Sequence, residues 1–590
     1  MPELSTKRHS LSHIMSQAIA VTFPDLTILR GVGPTIDNGF YQDYDFGDFS
    51  LTEEHLKEIE KKMKHILKQN QLFAQSFLML NEAKAKFAGD PYKIELIEDL
   101  ARDGETQFGV YTNTLQNGTI TYDDLCAGPH VEKTSELDEN SFKLDRIAGA
   151  YWRGDEKNKM LTRVYGVAFE NREELDAYVK QQEEAKKRDH RILGAKLNLF
   201  TVSPLVGSGL PMLKPNGMII RKEIEDYLWS LHKHHGYQRV WTPHIAKIDL
   251  YETSGHAAKF GHELFRVKWG HGEDFCMKPM NCPHHMQIFA DNQWSYRDMP
   301  IRYFEPATVY RDEKPGQLSG LTRVRAITQD DGHLFLRVSQ IKQEVGTIVS
   351  IIKEFYTTLG MVDDYWVSLS VSDPATPEKY LGSREVWETA ESSLEEAAKQ
   401  FELPYKKIEG EAAFYGPKLD FMFKDAIGRQ WQLATIQLDF NLPERFDLSY
   451  INEAGEKERP VVIHRAISGS LERFMGVMIE HFAGIFPLWL APRQVIVVPV
   501  GEKFNDYAEK VLKSLKDADI RAEIDLSTDG LNKKVRNAEQ ARINYIVIVG
   551  EKEEGNNGVA VRNYKTKEQT EVWLQKFIDN SQQEIQLKKL

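Results

Sequence analysis

Between residues 9 and 23 (HSLSHIMSQAIAVTF) apolar side chains fall at Leu11, Ile14, Met15, Ala18 and Ile19. That spacing puts them on one face of a helix, and Pro24 predicts that the helix stops just before it. A second helix is expected over 52–69, rich in Lys and Glu, and the segments 119–123 and 161–169 read as strands. The stretch 171–191, ending QQEEAKKRDHR, keeps a helical composition but is so polar that it has no face to bury, and it reads as a connector.

From about residue 216 the rhythm changes. A helix over 217–235 leads into Val240-Trp241-Thr242-Pro243, and a long helix over 339–359 should end at Gly360. KLDFMFKD and RQWQLATIQLDF alternate with period two around Ala426-Ile427-Gly428, which predicts a hairpin. Long alternating strands with flanking helices imply an α+β domain. After Trp489-Leu490-Ala491-Pro492 the chain shortens its periods. VIVVPV, IRAEIDL, YIVIVG and VAVRNY read as strands, with helices up to about 517, over 531–542 and at the end of the chain. A compact C-terminal α/β domain with a mainly parallel sheet is expected.

At 590 residues the chain is too long for one core. The 41% hydrophobic and 28% charged fractions are those of an ordinary soluble protein, and no stretch approaches the ~20 apolar residues of a membrane span. The N-terminus has no secretory pattern. Three cysteines, Cys126, Cys276 and Cys282, fit a reducing compartment, so a cytoplasmic location is expected. A net charge of −13 excludes an all-round basic coat, though a local groove can still bind RNA.

Chemistry-bearing residues occur in several places. His9 and His13 share one helix face, and Cys126 and His130 repeat the same spacing in DLCAGPH. These four could ligate zinc, or His9 could decorate a helix while Cys126 is a small buried hydrophobe. Cys282 in MNCPHH, His333 in DDGH and His464 in VVIHR lie too far apart for any local zinc signature, and by spacing alone structural or surface roles are favoured. Arg311, Arg323 and Arg473 carry the planar fork that suits phosphate, but most arginines are solvated surface groups.

Together the strings TVYRDEKPG, RVRAITQDDGH and IHRAISGSLERF follow the order of the three class II aminoacyl-tRNA synthetase motifs, after a helix ending near Pro243. With MNCPHH, FYGPKLDF and WQLATIQLDF they resemble the threonyl-tRNA synthetase family. HSLSH, IDNGFYQDYDF, CAGPHV and GAYWRGDEKNKMLTRVYG resemble its editing domain, and the last hundred residues its anticodon-binding domain. The resemblance runs from about residue 8 to about 580. It implies an α+β multidomain chain: an editing domain over 1–170, a helical connector over 171–191, a class II antiparallel-sheet catalytic core over 192–487 and an α/β anticodon-binding domain over 488–590. The family usually begins with a ubiquitin-like domain ahead of the editing domain, and this sequence starts almost at HSLSH, so a form lacking that module is expected.

Carried over residue by residue, the resemblance implies one zinc per subunit on Cys282, His333 and His464, bound by the threonine amino and hydroxyl groups. An apolar pocket separates Thr from isosteric Val by only about 10²-fold, whereas a metal that must be ligated by the hydroxyl rejects Val outright. Asp331 is implied to accept from that hydroxyl, and Met280, Tyr415 and Gln432 to line the pocket with Lys418. Arg311 is implied on the α-phosphate and Arg473 on the γ-phosphate of Mg²⁺-ATP, with Arg323, Gln329 and Ser470 nearby and His256 close to the tRNA ribose in the second step. Serine also carries the hydroxyl, and one methyl is worth roughly 1–3 kcal/mol, so mischarged Ser-tRNA(Thr) must be hydrolysed elsewhere. His9, His13, Cys126 and His130, with Lys93 and Asp124, match that editing site. It is expected to work through positioned water, with zinc confined to the central site.

Arg536, Glu553 and Arg562 match anticodon-reading positions. Thr528 stands where the family often has Asn, and Ala127 where it often has Arg. The expected partners are tRNA(Thr), ATP, L-threonine and a second copy of the chain, with no membrane and no DNA. The competing readings are a catalytically inactive, synthetase-like RNA-binding regulator and a sister enzyme for proline or serine. Neither is expected to retain every motif arginine and zinc ligand together with this editing domain.

Overall fold

The computed structural model describes every residue except 1, 262, 269–271 and 273. Two compact units divide the chain, residues 1–183 and 184–590.

In the first unit the helix Leu4–Thr22 is buried on nearly every side from Arg8 to Ile19. The sequence predicts a start at residue 9; the helix begins a turn and a half earlier, and Arg8 donates from Nε to the Ala168 carbonyl at 3.0 Å. Its apolar face, Leu11, Ile14, Met15, Ala18 and Ile19, joins Phe40, Ile59, Met63 and Val164 in one core. Two of the polar residues among them are satisfied: Ser16 Oγ meets the Tyr44 hydroxyl at 2.8 Å and Gln17 accepts from Asn113 at 2.9 Å. Burial without partners would cost about 1–3 kcal/mol for each such group. A sheet ordered Leu29–Arg30, Gly39–Asp45, Met160–Ala168, Phe142–Tyr151 carries the helices Leu4–Thr22 and Glu53–Lys68. A second sheet is the meander Leu72–Met79, Gln107–Thr114, Ile120–Leu125.

The connector differs from its expected span. The polar helix Arg172–Arg188 stops before 191, and Asp189 caps a new helix, His190–Lys196, by accepting from the Arg191 N–H at 2.8 Å.

The second unit is built on an eight-stranded sheet. Its spatial order is Gln238–Arg239, Ile301–Tyr310, Ala326–Leu336, Val461–Ser470, Gln430–Asp439, Lys418–Lys424, Tyr365–Val371, Tyr405–Glu409. All pairs are antiparallel except the outermost one at each edge. The helices Pro215–Lys233, Ile341–Thr358 and Leu471–His481 cover it with a core that includes Ile220, Ile348, Phe355, Ile463 and Phe474. The predicted hairpin turn closes as expected: Gly428 adopts φ +79°, and the Asp425 carboxylate accepts from the N–H groups of Ile427 and Arg429, each at 3.0 Å.

The C-terminal sheet corrects one expectation. It is mixed, with Ala522–Ile524, Val495–Pro499 and Tyr545–Val549 parallel, then Gly558–Asn563 and Gln569–Trp573 antiparallel. The last strand escaped the sequence reading because QTEVW is largely exposed and carries no apolar run. No helix among the described residues is long and apolar enough to cross a membrane.

Candidate active site and metal centre

Strand register brings the central histidines together. His333 pairs directly with His464 across the Ala326–Leu336 and Val461–Ser470 strands, on one face of the sheet. Cys282 opens the helix Cys282–Ala290 above them. One ligand atom from each of the three lies within 4.8 Å of the others, and all three side chains are buried. Burial drives the Cys282 thiol well above its ordinary range, and the Asp331 and Asp439 carboxylates push the same way. His333 is driven well below its usual value by burial, then by His464 and His285. A buried divalent cation would reverse the first effect, because it stabilises thiolate, and would act with the second, because it binds neutral imidazole. One thiol and two imidazoles beside an open cavity form the donor set of a three-ligand zinc site with room for substrate, so the residues present fit the metal.

The cavity has a volume of about 690 Å³. His333, His464 and Asp331 lie on its wall together with Met280, Gln329, Tyr415, Gln432 and Ser470, and so do Arg311, Arg323 and Arg473. Most of the residues assigned to substrate by resemblance therefore face one space. Asp331 accepts from Asn281 Nδ2 at 3.0 Å, and Tyr415 donates to Gln437 Oε1 at 3.1 Å. Arg311 Nη2 rests on Met280 Sδ at 2.9 Å. Arg323 is held at the rim by Glu313, with Nε at 2.9 Å. Arg473 lies over the Trp431 ring at 5.8 Å, and burial lowers its pKa.

Two assigned residues are placed differently. Lys418 is not on the cavity wall; its ammonium is ion-paired with Asp420, which in turn accepts from Thr435, a wall residue, at 2.7 Å. His256 lies fully buried with Nδ1 at 2.8 Å from Ser254 Oγ and Nε2 at 3.6 Å from Cys282 Sγ. Burial, followed by His464 and Arg311, lowers it to about 3, so it is neutral.

Several buried groups that support the site were not singled out by sequence. His464 Nε2 donates to Asp439 Oδ2 at 2.9 Å. The Asp330 carboxylate accepts from the N–H groups of Ile467, Ser468 and Gly469 at 2.9–3.2 Å, which ties down the irregular end of the strand Val461–Ser470, where its register against Ala326–Leu336 shifts ahead of Arg473. Asp330 directly precedes Asp331 in DDGH, and an acidic pair in a buried strand was the available signal. Gly332 lies against the Arg465 guanidinium, where a Cβ would sit 2.6 Å from its carbon.

In the first unit Cys126 Sγ lies 3.3 Å from His9 Nε2 and 3.2 Å from His130 Nε2. These three could share a metal ion, whereas His13 is not part of that group. His13 stacks on His130 at 4.8 Å, and neither of its ring nitrogens has a hydrogen-bond partner among the described residues. Burial lowers His13 to about 4 and His130 to about 2. Beside them Lys93 Nζ meets Asp124 Oδ1 at 3.0 Å, both buried. Burial alone would raise Asp124, but Lys93 and Arg30 override it, and the carboxyl sits below its ordinary range. Gly128, at φ +78°, shapes the loop between Cys126 and His130; a Cβ there would lie 2.5 Å from the Tyr111 hydroxyl.

The C-terminal candidates are dispersed. Glu553 lines a cleft of about 310 Å³ with Trp573. Arg562 is paired with Glu539 at 3.1 Å, and Arg536 is exposed on the helix Leu531–Gln540.

Comparison with known proteins agrees with this arrangement. Residues 265–482 match the tRNA synthetase class II core domain (G, H, P, S and T), and 494–584 match an anticodon-binding domain. The antiparallel sheet with its arginine-lined cavity is thus the core of a class II aminoacyl-tRNA synthetase. Residues 113–165 match the threonyl and alanyl tRNA synthetase second additional domain. The chain is 49% identical over 560 residues to threonine–tRNA ligase of Deinococcus deserti, covering 94% of this chain and 84% of that one. It is 45% identical over 602 residues to that of Thermus thermophilus, covering 100% and 90%. The crystal structure of the RNA binding domain of threonyl-tRNA synthetase from Cryptosporidium parvum superposes with a TM-score of 0.63 at 36% identity, over 67% of this chain and 98% of the other. The chain belongs to the threonine–tRNA ligase family.

Proposed function

We infer that this chain activates L-threonine with ATP, transfers it to tRNA(Thr), and hydrolyses mischarged Ser-tRNA(Thr) at a second site. The observation that carries the catalytic reading is a single cavity whose wall carries both the His333 and His464 imidazoles, with Cys282 beside them, and the Arg311 and Arg473 guanidinium groups. Amino-acid selection and phosphate chemistry need those two sets of groups within reach of one substrate pair.

Cys282, His333 and His464 would hold zinc, which when bound supplies a Lewis acid for the amino and hydroxyl groups of threonine. The chain's own residues do the rest. Asp331, buried and already accepting from Asn281, has acceptor capacity left for the substrate hydroxyl. Arg311 orients the carboxylate against the α-phosphate of Mg²⁺-ATP, and Arg473 holds the terminal phosphate, so the attack is aligned and its charge neutralised. His256, matched by resemblance to a position near the tRNA ribose, would assist the transfer step as a neutral group from behind the cavity wall. The cationic Lys418, held by Asp420, acts one layer behind the wall.

At the N-terminal cluster the neutral His9, His13 and His130 with Cys126 can position a water without holding a charge, and the Lys93–Asp124 pair borders it. The division into 1–170, 171–191, 192–487 and 488–590 is proposed with the connector helix itself ending at Arg188, as are anticodon contacts from Arg536, Glu553 and Arg562. A homodimer is favoured by exposed apolar groups near the motif 1 helix: Leu205 is 99% and Trp241 73% exposed. A cytoplasmic setting fits three free cysteines.

The test is metal content paired with threonine-dependent ATP–pyrophosphate exchange, on wild type and Cys282→Ala. One zinc per chain, lost together with exchange in the variant, supports the reading. Two zincs with one surviving in the variant would assign a metal to the N-terminal cluster as well. No exchange with threonine refutes the catalytic reading in favour of an RNA-binding regulator.

A further inference from the structure

Behind the metal cluster runs a line of buried polar groups that the reaction itself does not use. His285 is fully buried on the helix Cys282–Ala290, one turn beyond Cys282. Its Nδ1 lies 2.7 Å from His333 Nδ1, and its Nε2 lies 2.9 Å from Glu305 Oε2. Glu305 is itself buried, with Oε1 accepting from the Thr242 N–H at 2.7 Å and Oε2 from the Thr242 hydroxyl at 3.0 Å. The Lys278 ammonium, also buried, stands 3.8 Å away.

With both imidazoles neutral, one arrangement of protons satisfies these contacts. An ionised carboxylate beside an ammonium is an acceptor only, so His285 must donate to it from Nε2–H. A neutral imidazole carries one proton, which leaves His285 Nδ1 as a bare acceptor. The 2.7 Å contact between the two Nδ1 atoms then requires His333 to donate from Nδ1–H, and its Nε2 must be bare. That is the nitrogen left to face the cluster with Cys282 and His464. The opposite tautomer would protonate Nε2 and remove it as a ligand. His464 is treated the same way in one step: its Nε2–H is taken by Asp439, which leaves Nδ1 free.

We propose that Glu305 and His285 are positioning residues that set the tautomer and ring orientation of His333, so that the metal site is formed before the metal arrives. Glu305 fixes the proton of one ring, and that ring fixes the proton of the next. The proposal rests on the zinc reading of Cys282, His333 and His464. Because Glu305 also accepts from Thr242, the segment before Pro243 is tied to the same relay.

The test uses the zinc-loaded full-length protein and reads metal rather than catalysis. Zinc release to a chromogenic chelator is followed in wild type, His285→Leu and His285→Asn, and the cobalt-substituted forms are compared by their visible spectra. Leucine removes the acceptor for His333 Nδ1–H, whereas the asparagine amide oxygen falls close to the position of the histidine Nδ1 and keeps it. Loss of a hydrogen-bonded partner behind a ligand typically weakens metal binding by about 10–100-fold. The expected result is that leucine weakens zinc retention by that factor and alters the cobalt spectrum, while asparagine stays within a few-fold of wild type. Equal retention in all three forms overturns the relay, and so does an asparagine variant as leaky as leucine. Should the leucine variant not fold, a crystal structure of the zinc-loaded wild type decides: metal on His333 Nε2 supports the relay, and metal on Nδ1 overturns it. A wild type that binds no zinc overturns the metal reading and the relay with it.

Discussion

Replacing Asp330 by alanine should cost more than any substitution on the cavity wall, although Asp330 touches no substrate. Its carboxylate is fully buried and is the acceptor for three consecutive backbone N–H groups, Ile467, Ser468 and Gly469, at 2.9–3.2 Å. The buried Arg465 guanidinium lies 3.8 Å from the same carboxylate and also donates to the Asp330 carbonyl at 2.6 Å. Each buried donor left without an acceptor costs about 1–3 kcal/mol, and a buried ion pair broken by removing one partner costs about 3–5 kcal/mol. These terms overlap, so a destabilisation of about 4 kcal/mol is expected. Asp330→Asn keeps one acceptor oxygen and should cost about half as much. Gly469, at φ +69°, belongs to the same irregular strand end, so loosening it should also misplace Ser470 and Arg473. The assay is denaturant unfolding followed by tryptophan fluorescence, with ATP–pyrophosphate exchange on the folded fraction. Alanine should lower stability, and kcat/KM for ATP should fall in the fraction that remains folded. A loss under about 1 kcal/mol with unchanged ATP kinetics would refute the view that this carboxylate anchors the strand end.

The other expectations concern separate groups. Arg473→Ala removes a charged donor to phosphate, worth about 1.5–3 kcal/mol, so kcat/KM for ATP should drop roughly 10–100-fold in exchange kinetics while the protein still folds. Cys126→Ala should reduce hydrolysis of Ser-tRNA(Thr) at least about 10-fold and leave threonine activation within about two-fold; equal losses in both would contradict separate sites. His13 is lowered from 6.5 to about 4, so the folded state disfavours its charged form. Its contribution is intact above pH 6.5 and is lost as pH falls towards 4, up to about 3 kcal/mol, and His13→Gln should flatten that part of the thermal-stability profile.

Much of the architecture was legible in the sequence because it rests on local periodicity. The helix carrying Leu11, Ile14 and Ile19 and the hairpin around Gly428 announce which face they bury, and the continuous apolar run VIVVPV announces a strand buried on both faces. The limits of that reading are equally local. QTEVW pairs as an exposed edge strand through backbone hydrogen bonds, which leave no mark on side-chain pattern. The motif arginines and the Cys282, His333, His464 set were visible as strings, but only by resemblance, since no spacing rule links residues so far apart.

Tertiary structure decided what those residues can do together. The register that places His333 opposite His464 depends on pairing two strands separated by more than a hundred residues. Lys418 pairs its ammonium with Asp420 and does not line the cavity. Asp330, His285 and Glu305 gain their meaning only from groups brought in by other segments. A side chain's charge and shape belong to the sequence, whereas its proton, its partner and its exposure to water belong to the fold.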